Sequence, residues 1–252
     1  MKKRILRISF LCVLSIFFIN RSSGQAVAVD STALNTTIAK ATSQFYKTIG
    51  EESRLYNGHE YLPYDPRIKN NALFPYDAKT WETGEVNYDD VVYKNVPMMY
   101  DVYKDVVIVQ LYNKFSMFSL LSNRVHDFTF ANHHFIRLDA DQINGSQSGI
   151  TPGFYDQLYA GKIEILAKRQ KTIQNSSTVV IVPETFFSAT NDYYLKKGNA
   201  YYKIGSKGSV LKLLKDKKSQ LQQYLRQNNI SYRDDPEGAM AKMASYYDHL
   251  TN

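Results

Sequence analysis

The chain has 252 residues, 31 Lys and Arg against 24 Asp and Glu, and a single cysteine, Cys12. One thiol excludes an intrachain disulfide framework and a cysteine-ligated zinc site, and 20 Tyr with 13 Phe exclude a disordered chain. The formal charge of +7 would suggest a polyanion partner, but residues 1–26 hold five of the cations and no acid, which leaves the remainder at +2. With no aromatic-basic recognition pattern, no nucleic-acid partner is expected.

Those first residues read as an export leader. Lys2, Lys3, Arg4 and Arg7 precede a twelve-residue apolar run from Ile8 to Ile19, shorter than the roughly 18 residues that span a bilayer. Ser22-Ser23-Gly24-Gln25-Ala26 then supplies small residues for cleavage. Cleavage is expected after Ala26, with Ala28 as the alternative. Cys12 follows Phe10 and Leu11 rather than small residues, so a lipidated form is not expected. The location that follows is periplasmic or secreted. The mature chain then lacks cysteine, hence any thiolate nucleophile or sulfur-ligated metal. The expected organisation is a leader over 1–26, a helix and linker over 27–54, and one domain over 55–252, β-rich across 80–204 and helical across 209–251.

Leu34, Ile38, Ala41 and Phe45 recur at helical spacing and predict an amphipathic helix over 32–48, bounded by Gly50. Residues 55–80 are rich in Pro, Asn and Tyr, and the prolines exclude a central strand there. Tyr-Asp recurs at 64, 76, 88 and 100, but the flanking residues agree only for the first two pairs, so the spacing is read as coincidence. Val91-Val92-Tyr93 is followed by arms over 98–103 and 106–111 around Lys104-Asp105, a hairpin with Met98, Tyr100 and Val102 on one face. A second hairpin runs over 127–138, with Phe128-Thr129-Phe130 and Phe135-Ile136-Arg137-Leu138 flanking Ala131-Asn132-His133-His134. Residues 139–153 read as a break and 154–159 as a short helical turn. Residues 162–173 alternate as a strand, with Ile163, Ile165, Ala167 and Arg169 on one face. Residues 179–189 are either an edge strand or a flap. A third hairpin pairs Tyr193-Tyr194-Leu195 with 200–204 around Lys197-Gly198-Asn199. Ser209 is expected to cap a helix reaching Asn228, with Val210, Leu213, Leu214, Leu221, Tyr224 and Leu225 as its apolar stripe. Asp235-Pro236-Glu237 opens a last helix carrying Met240, Met243, Ala244 and Tyr247 at i, i+3, i+4, i+7. The fold class is α+β: an antiparallel meander or curved sheet of hairpins packed with C-terminal helices, plus an N-terminal helix.

Asn57-Gly58-His59-Glu60-Tyr61, Val96-Pro97-Met98-Met99-Tyr100-Asp101, Phe135-Ile136-Arg137-Leu138, Tyr193-Tyr194-Leu195, Leu214-Lys215-Asp216-Lys217-Lys218 and Tyr246-Tyr247 together resemble an uncharacterised family of exported bacterial envelope proteins. The likeness spans most of residues 55–250. It implies export and a shared architecture and supplies no catalytic residues.

His133 and His134, with Asp139 and Asp141 downstream, are the candidate pair for divalent-metal binding or proton transfer. Adjacent strand residues point to opposite faces, so the pair is read as solvated histidines at a turn tip, and no metal or cofactor is expected. In Gly145-Ser146-Gln147-Ser148-Gly149 a glutamine holds the nucleophile position. Gly205-Ser206-Lys207-Gly208-Ser209 lacks the order of a nucleotide-binding loop and reads as a helix cap. Glu51-Glu52, Asp89-Asp90 and Asp234-Asp235 read as turn or cap carboxylates. Lys207, Lys212, Lys215 and Lys218, in a run that also holds Lys203, Lys217 and Arg226, are the candidates for contact with an acidic partner or an anionic membrane surface. The leading expectation is an exported, non-catalytic accessory or binding protein of the cell envelope, touching an envelope component, a partner protein or the membrane periphery. One alternative is a periplasmic carrier of an apolar ligand such as lipid, which requires an open cavity lined by Met98, Tyr100 and Val102. The other is an envelope-polymer hydrolase, which requires His133 or His134 to meet an acid in a cleft.

Overall fold

The computed structural model describes residues 36, 37, 40, 41, 44, 48, 53–75, 80–111, 113–143, 148–176 and 184–251. The chain divides into two compact units, Met1–Phe45 and Tyr46–Asn252. The leader expected over residues 1–26 lies outside the described residues. Of the helix expected over 32–48, the described positions Thr36, Thr37, Lys40, Ala41, Gln44 and Thr48 are helical.

Among the described residues twelve strands form one antiparallel sheet: β1 (His59–Glu60), β2 (Leu73–Phe74), β3 (Glu82–Tyr88), β4 (Val91–Asp101), β5 (Val106–Gln110), β6 (Met117–Ser119), β7 (Val125–Phe130), β8 (His133–Leu138), β9 (Gly153–Ala160), β10 (Ile163–Asn175), β11 (Thr185–Lys197) and β12 (Ala200–Ile204). The order across the sheet is β1-β6-β5-β4-β3-β7-β8-β9-β10-β11-β12, with β2 paired to β4 off that path. Helices α1 (Lys207–Leu213), α2 (Lys218–Gln227) and α3 (Pro236–Leu250) follow. This is the expected α+β arrangement of sheet and C-terminal helices.

Local chemistry explains the hairpins. Asp89-Asp90 turns β3 into β4 with φ of 52° and 62°, and Ala131-Asn132 turns β7 into β8 with φ of 50° and 62°. Two central residues at positive φ make the two-residue turn whose twist matches that of its strands. The β7–β8 turn is therefore two residues long, and His133 and His134 open β8 instead of sitting at the tip. Residues 154–159 are strand, not a helical turn. Phe154 and Tyr155 are both fully buried, on opposite faces of β9, a two-sided burial that leaves a short run without visible alternation. Of the residues read as edge strand or flap, 185–189 belong to β11, paired there with β10 on one side and bridged by Lys69 on the other, while β12 pairs only with residues 193–197. The helix expected over 209–228 is two helices. Ser206 caps α1 by accepting from Ser209 N, Ser209 serves as the third helical residue, and a 3-10 turn at Lys215–Lys217 separates α1 from α2. Between Leu214 and Leu221 no apolar side chain holds the chain to the sheet, and the break lets both apolar faces point inward.

The sheet is curled around its largest core. Val86, Tyr88, Met98, Tyr100, Phe128, Phe135 and Phe154 are at most 1 % exposed. Tyr100 on β4 meets Phe154 on β9 with ring centroids 6.1 Å apart, although four strand spacings in a flat sheet would separate those strands by about 19 Å. Phe135, Asp156 and Ala167 are cross-strand partners, and Ile165 and Ile163 continue that same face. The three helices cover it there with Val210, Leu214, Leu221, Met240, Met243 and Ala244. A smaller cluster on the opposite face joins Tyr155, Leu166, Tyr194 and Tyr201 to Ile143 and Ile150 of the connection between β8 and β9.

Residues 59–74 form a strap that stitches distant strands together. Tyr61 N donates to Met117 O at 2.8 Å, Lys69 N to Thr185 O at 2.9 Å, Phe187 N to Lys69 O at 3.1 Å and Val102 N to Ala72 O at 2.9 Å. Fully buried Asp101 anchors it: Oδ2 accepts from the hydroxyls of Tyr61 at 2.9 Å and Tyr64 at 2.7 Å, while Oδ1 accepts from Tyr103 N and Lys104 N, both at 2.9 Å. Burial, then the Asp101 charge, pushes the Tyr61 hydroxyl above its ordinary range. The Tyr-Asp spacing marks no repeat, because Tyr64 lies in the strap, Tyr88 ends β3 and Tyr100 sits inside β4. Asp101→Ala strands four donors and is expected to cost at least about 3 kcal/mol, against about 1 kcal/mol for Tyr64→Phe. Urea titrations of both variants check this, and equal losses would show that Asp101 is not the anchor.

Candidate functional site

Three cations sit side by side on β10. Lys168, Arg169 and Lys171 are 6 %, 4 % and 5 % exposed, and a buried charge is tolerated only when it is paired. Lys168 Nζ donates to Asp105 Oδ2 at 2.7 Å and to Phe154 O at 3.1 Å, and Asp105 Oδ1 accepts from Tyr100 OH at 2.6 Å. Lys171 Nζ reaches three oxygens of the strap: Asn71 O at 2.6 Å, Asn71 Oδ1 at 3.0 Å and Leu73 O at 2.8 Å. Burial pulls the Lys171 ammonium down to about 8, against the opposing pull of Asp101.

Arg169 is the centre of the row. Its Nε donates to Asp156 Oδ2 at 3.0 Å, a bond that its Nη2 reinforces, and its two Nη atoms grip Glu237 Oε1 and Oε2 at 2.6 and 2.9 Å. Its guanidinium also lies 5.4 Å from the Phe74 ring centroid. Glu237 stands in the first turn of α3 behind the Asp235 cap and Pro236, so this junction pins the helix to β9 and β10. Burial raises the Glu237 carboxyl, but hydrogen bonds from Arg169 and Tyr193 outweigh it and hold the group below its ordinary range. Tyr193, donating to Glu237 Oε1 at 2.7 Å, is pushed up to about 12, first by burial and then by that carboxylate.

His133 joins this junction, with Nδ1 at 2.7 Å from Asp156 Oδ2 and its ring edge-on to Phe74 at 4.9 Å. An ionised Asp156 can only accept, so neutral His133 carries its proton on Nδ1 and leaves Nε2 as the basic nitrogen. His134 points to the other face, with Nδ1 at 3.1 Å from Gln157 Oε1 and Nε2 at 3.4 Å from Asp127 Oδ1. The pair diverges as strand alternation requires. His133 is no solvated tip residue: it is tied to an acid that is 1 % exposed. Asp139 goes to Arg137, with Oδ1 accepting from Nε at 2.8 Å, and among the described residues no group of three or more His, Cys, Asp and Glu could hold a metal ion.

Lys207, Lys212, Lys215 and Lys218 are all exposed. Among the described residues none of the four makes an ion pair, whereas neighbouring Lys203 pairs with Asp192 at 2.8 Å and Lys197 with Asp216 at 3.8 Å. A cleft of about 490 Å³ opens between the start of α1 and the end of α2, with Lys207 and Arg226 in its wall. A second, of about 600 Å³, lies over the opposite sheet face near Arg137, Asp141, Lys196 and Tyr201. His133 lines neither. Compared with protein-family models, curated proteins and solved structures, the chain finds no match.

The buried cation row is the feature that sequence reasoning missed. Its one visible signal is that Arg169 continues the face of Ile163, Ile165 and Ala167. Arg169→Met leaves two carboxylates without their cation, and the expected cost is about 3–5 kcal/mol, read as a lower urea midpoint at unchanged slope. A loss below 1 kcal/mol, on the scale of an exposed pair, would show that the junction is not structural.

Alkaline pH tests Lys171 separately. Its folded value of about 8 lies below the ordinary 10.5, so between those limits the unfolded chain binds more protons and stability rises with pH. The buried tyrosines act in reverse: Tyr61 and Tyr100 lie above the ordinary 10.0 in the fold, so stability falls once the unfolded chain ionises above that pH. Urea midpoints are expected to climb from pH 8 towards 10 and then drop, and Lys171→Met should abolish the climb but keep the drop. A climb of the same size in the variant would remove Lys171 as its source.

Proposed function

We propose that the chain is an exported, non-catalytic binding protein of the cell envelope that meets an anionic surface or partner through its C-terminal helices. The observation that carries this reading is the unpaired, exposed set Lys207, Lys212, Lys215 and Lys218, on and between helices whose other face is buried against the sheet. Cations on a packed platform keep their spacing, and the exposed Asp216 between Lys215 and Lys217 offsets only part of their field. The cationic and apolar leader supports export, and the resemblance to exported envelope proteins agrees with it. No described helix is long and apolar enough to cross a membrane. Peripheral contact is therefore the mode proposed for those lysines.

The filled interior favours surface binding over carriage of an apolar ligand. Met98 and Tyr100 are fully buried and Val102 is 3 % exposed, and the rings of Phe128, Phe135 and Phe154 occupy the space in front of Tyr100. The hydrolytic reading has one observation in its favour, the 2.7 Å contact of His133 Nδ1 with Asp156 Oδ2. Against it, Asp156 is held by Arg169 and neither cleft reaches the histidine. Loss of turnover in His133→Ala during an envelope-hydrolysis screen would favour that reading.

Each lysine near an anionic bilayer contributes about 1 kcal/mol, so Gln at all four positions is expected to weaken association by about three orders of magnitude. The check is cosedimentation with phosphatidylglycerol vesicles at two salt concentrations, beside fractionation of cells making the full chain. The mature protein should start at Val27 and be found outside the cytosol. Full-length protein in the cytosol, or a quadruple variant that binds like the parent, would overturn the proposal.

A further inference from the structure

The cleft between α1 and α2 has a built wall. α2 ends in a paired-carbonyl stop: Ile230 N donates to Leu225 O at 2.9 Å and Asn229 N to Arg226 O at 3.3 Å, with Asn229 at φ 52° in the left-handed region. This motif brings the side chains of Leu225 and Ile230 together, and both line the cleft. The same turn puts Arg226, Asn229 and Ser231 on one rim, and Lys207 from the start of α1 completes the wall. Arg226 Nε donates to Gln222 O at 3.3 Å, and neither Arg226 nor Lys207 meets a carboxylate among the described residues.

We propose that this cleft binds a phosphate-bearing ligand, with Lys207 and Arg226 holding the anion, Asn229 and Ser231 adding neutral donors, and Leu225 with Ile230 receiving its apolar part. This deepens the proposed reading of the basic helices and rests on it. The chemistry fits in three respects. A guanidinium offers a planar fork to two phosphate oxygens and an ammonium offers a point charge to a third, so two cations match an anion of up to two charges. Ser231 Oγ already accepts from Asp234 N at 3.3 Å, which leaves its proton to donate outward. A cleft of about 490 Å³ is of the size that houses a small organic ligand, with room beyond the anion over the apolar floor. The negative end of the α2 dipole opposes an anion, but it amounts to about 0.3–1 kcal/mol, below the about 1.5–3 kcal/mol of a single charge-assisted hydrogen bond. The exposed carboxylate of Asp234, three residues beyond Ser231, is the nearest acid in sequence and is absent from the lining.

The source of the phosphate is decided by two probes on the mature protein. Inorganic phosphate and glycerol 3-phosphate are titrated with amide and arginine side-chain NMR as the readout, and vesicles of phosphatidylglycerol are compared with vesicles of phosphatidylcholine. Shifts at Arg226, Asn229 and Ser231 with the soluble probes alone mark a free phosphoester ligand, and shifts at the same residues only with phosphatidylglycerol mark a lipid head group. In either case Arg226→Gln and Lys207→Gln should each weaken binding about tenfold, while Lys212→Gln with Lys215→Gln and Lys218→Gln should leave the soluble-probe shifts in place. Unchanged affinity in Arg226→Gln and Lys207→Gln beside vesicle binding that falls with the other three lysines would overturn the cleft site and leave the basic-face reading standing. No binding of any probe to the parent protein would overturn both.

Discussion

The fold depends on getting three positive charges on one strand away from water. Lys168, Arg169 and Lys171 of β10 are each nearly inaccessible, and leaving one of these charges unpaired there would cost about 3–5 kcal/mol. Each is satisfied by a different part of the chain: Asp105 from the β4–β5 turn, Asp156 and Glu237 from β9 and α3, and the carbonyls of the strap. β10 can therefore be buried only when the sheet has curled, the strap has crossed and α3 has docked. The cations make those three events conditional on one another.

Apolar packing alone would not give this coupling. The core around Tyr100, Phe128 and Phe135 is non-directional and would tolerate neighbouring registers of similar volume, whereas a fork at Arg169 that must meet Asp156 and Glu237 together tolerates very few. A buried ion network of this kind adds little net stability, because desolvation offsets most of its Coulomb energy. Its contribution is to single out one arrangement of strap, sheet and helix. The strap shows the same logic at its other end, where the buried carboxylate of Asp101 collects two phenols and two amides.

The parts of the fold legible in the sequence are those written in short-range chemistry. Alternation and turn residues mark the β4–β5, β7–β8 and β11–β12 hairpins, and Asp235-Pro236-Glu237 marks the start of α3 because cap and first turn lie within three residues. β9 was hidden because both of its faces are covered, which leaves Phe154 and Tyr155 adjacent with no polar alternation to read. The strap was hidden for a different reason. Its partners are remote, Lys69 against Phe186 across more than a hundred residues, and no local pattern encodes such a pairing. Asp156, Arg169 and Glu237 were passed over because a charge in sequence looks like a charge at the surface. His133 looks solvated in sequence because it opens a strand beside a turn, yet its ring is only partly exposed and is tied to buried Asp156. The lysines of the candidate surface were legible as a cluster, but the meeting of Lys207 with Arg226 was not. It depends on the break at Lys215–Lys217, which separates α1 from α2 and lets the start of one and the end of the other line the same cleft.

The chain uses its cations in two opposite ways, and the contrast bears on what the protein does. On β10 every positive group is committed to an internal acceptor and is lost to outside partners. On β11 and β12, Lys197 and Lys203 are taken up by Asp216 and Asp192, whereas on the helices four exposed lysines and Arg226 meet no carboxylate among the described residues. Internal cations explain the shape and need no ligand. Exposed cations contribute little to folding, since even paired surface charges are worth about 0–1 kcal/mol, and grouping them on one face costs mutual repulsion. A cluster that folding does not require and electrostatics disfavours in isolation is relieved by a negative partner, and that argument places the outward-facing chemistry of this protein on its helices instead of inside its sheet.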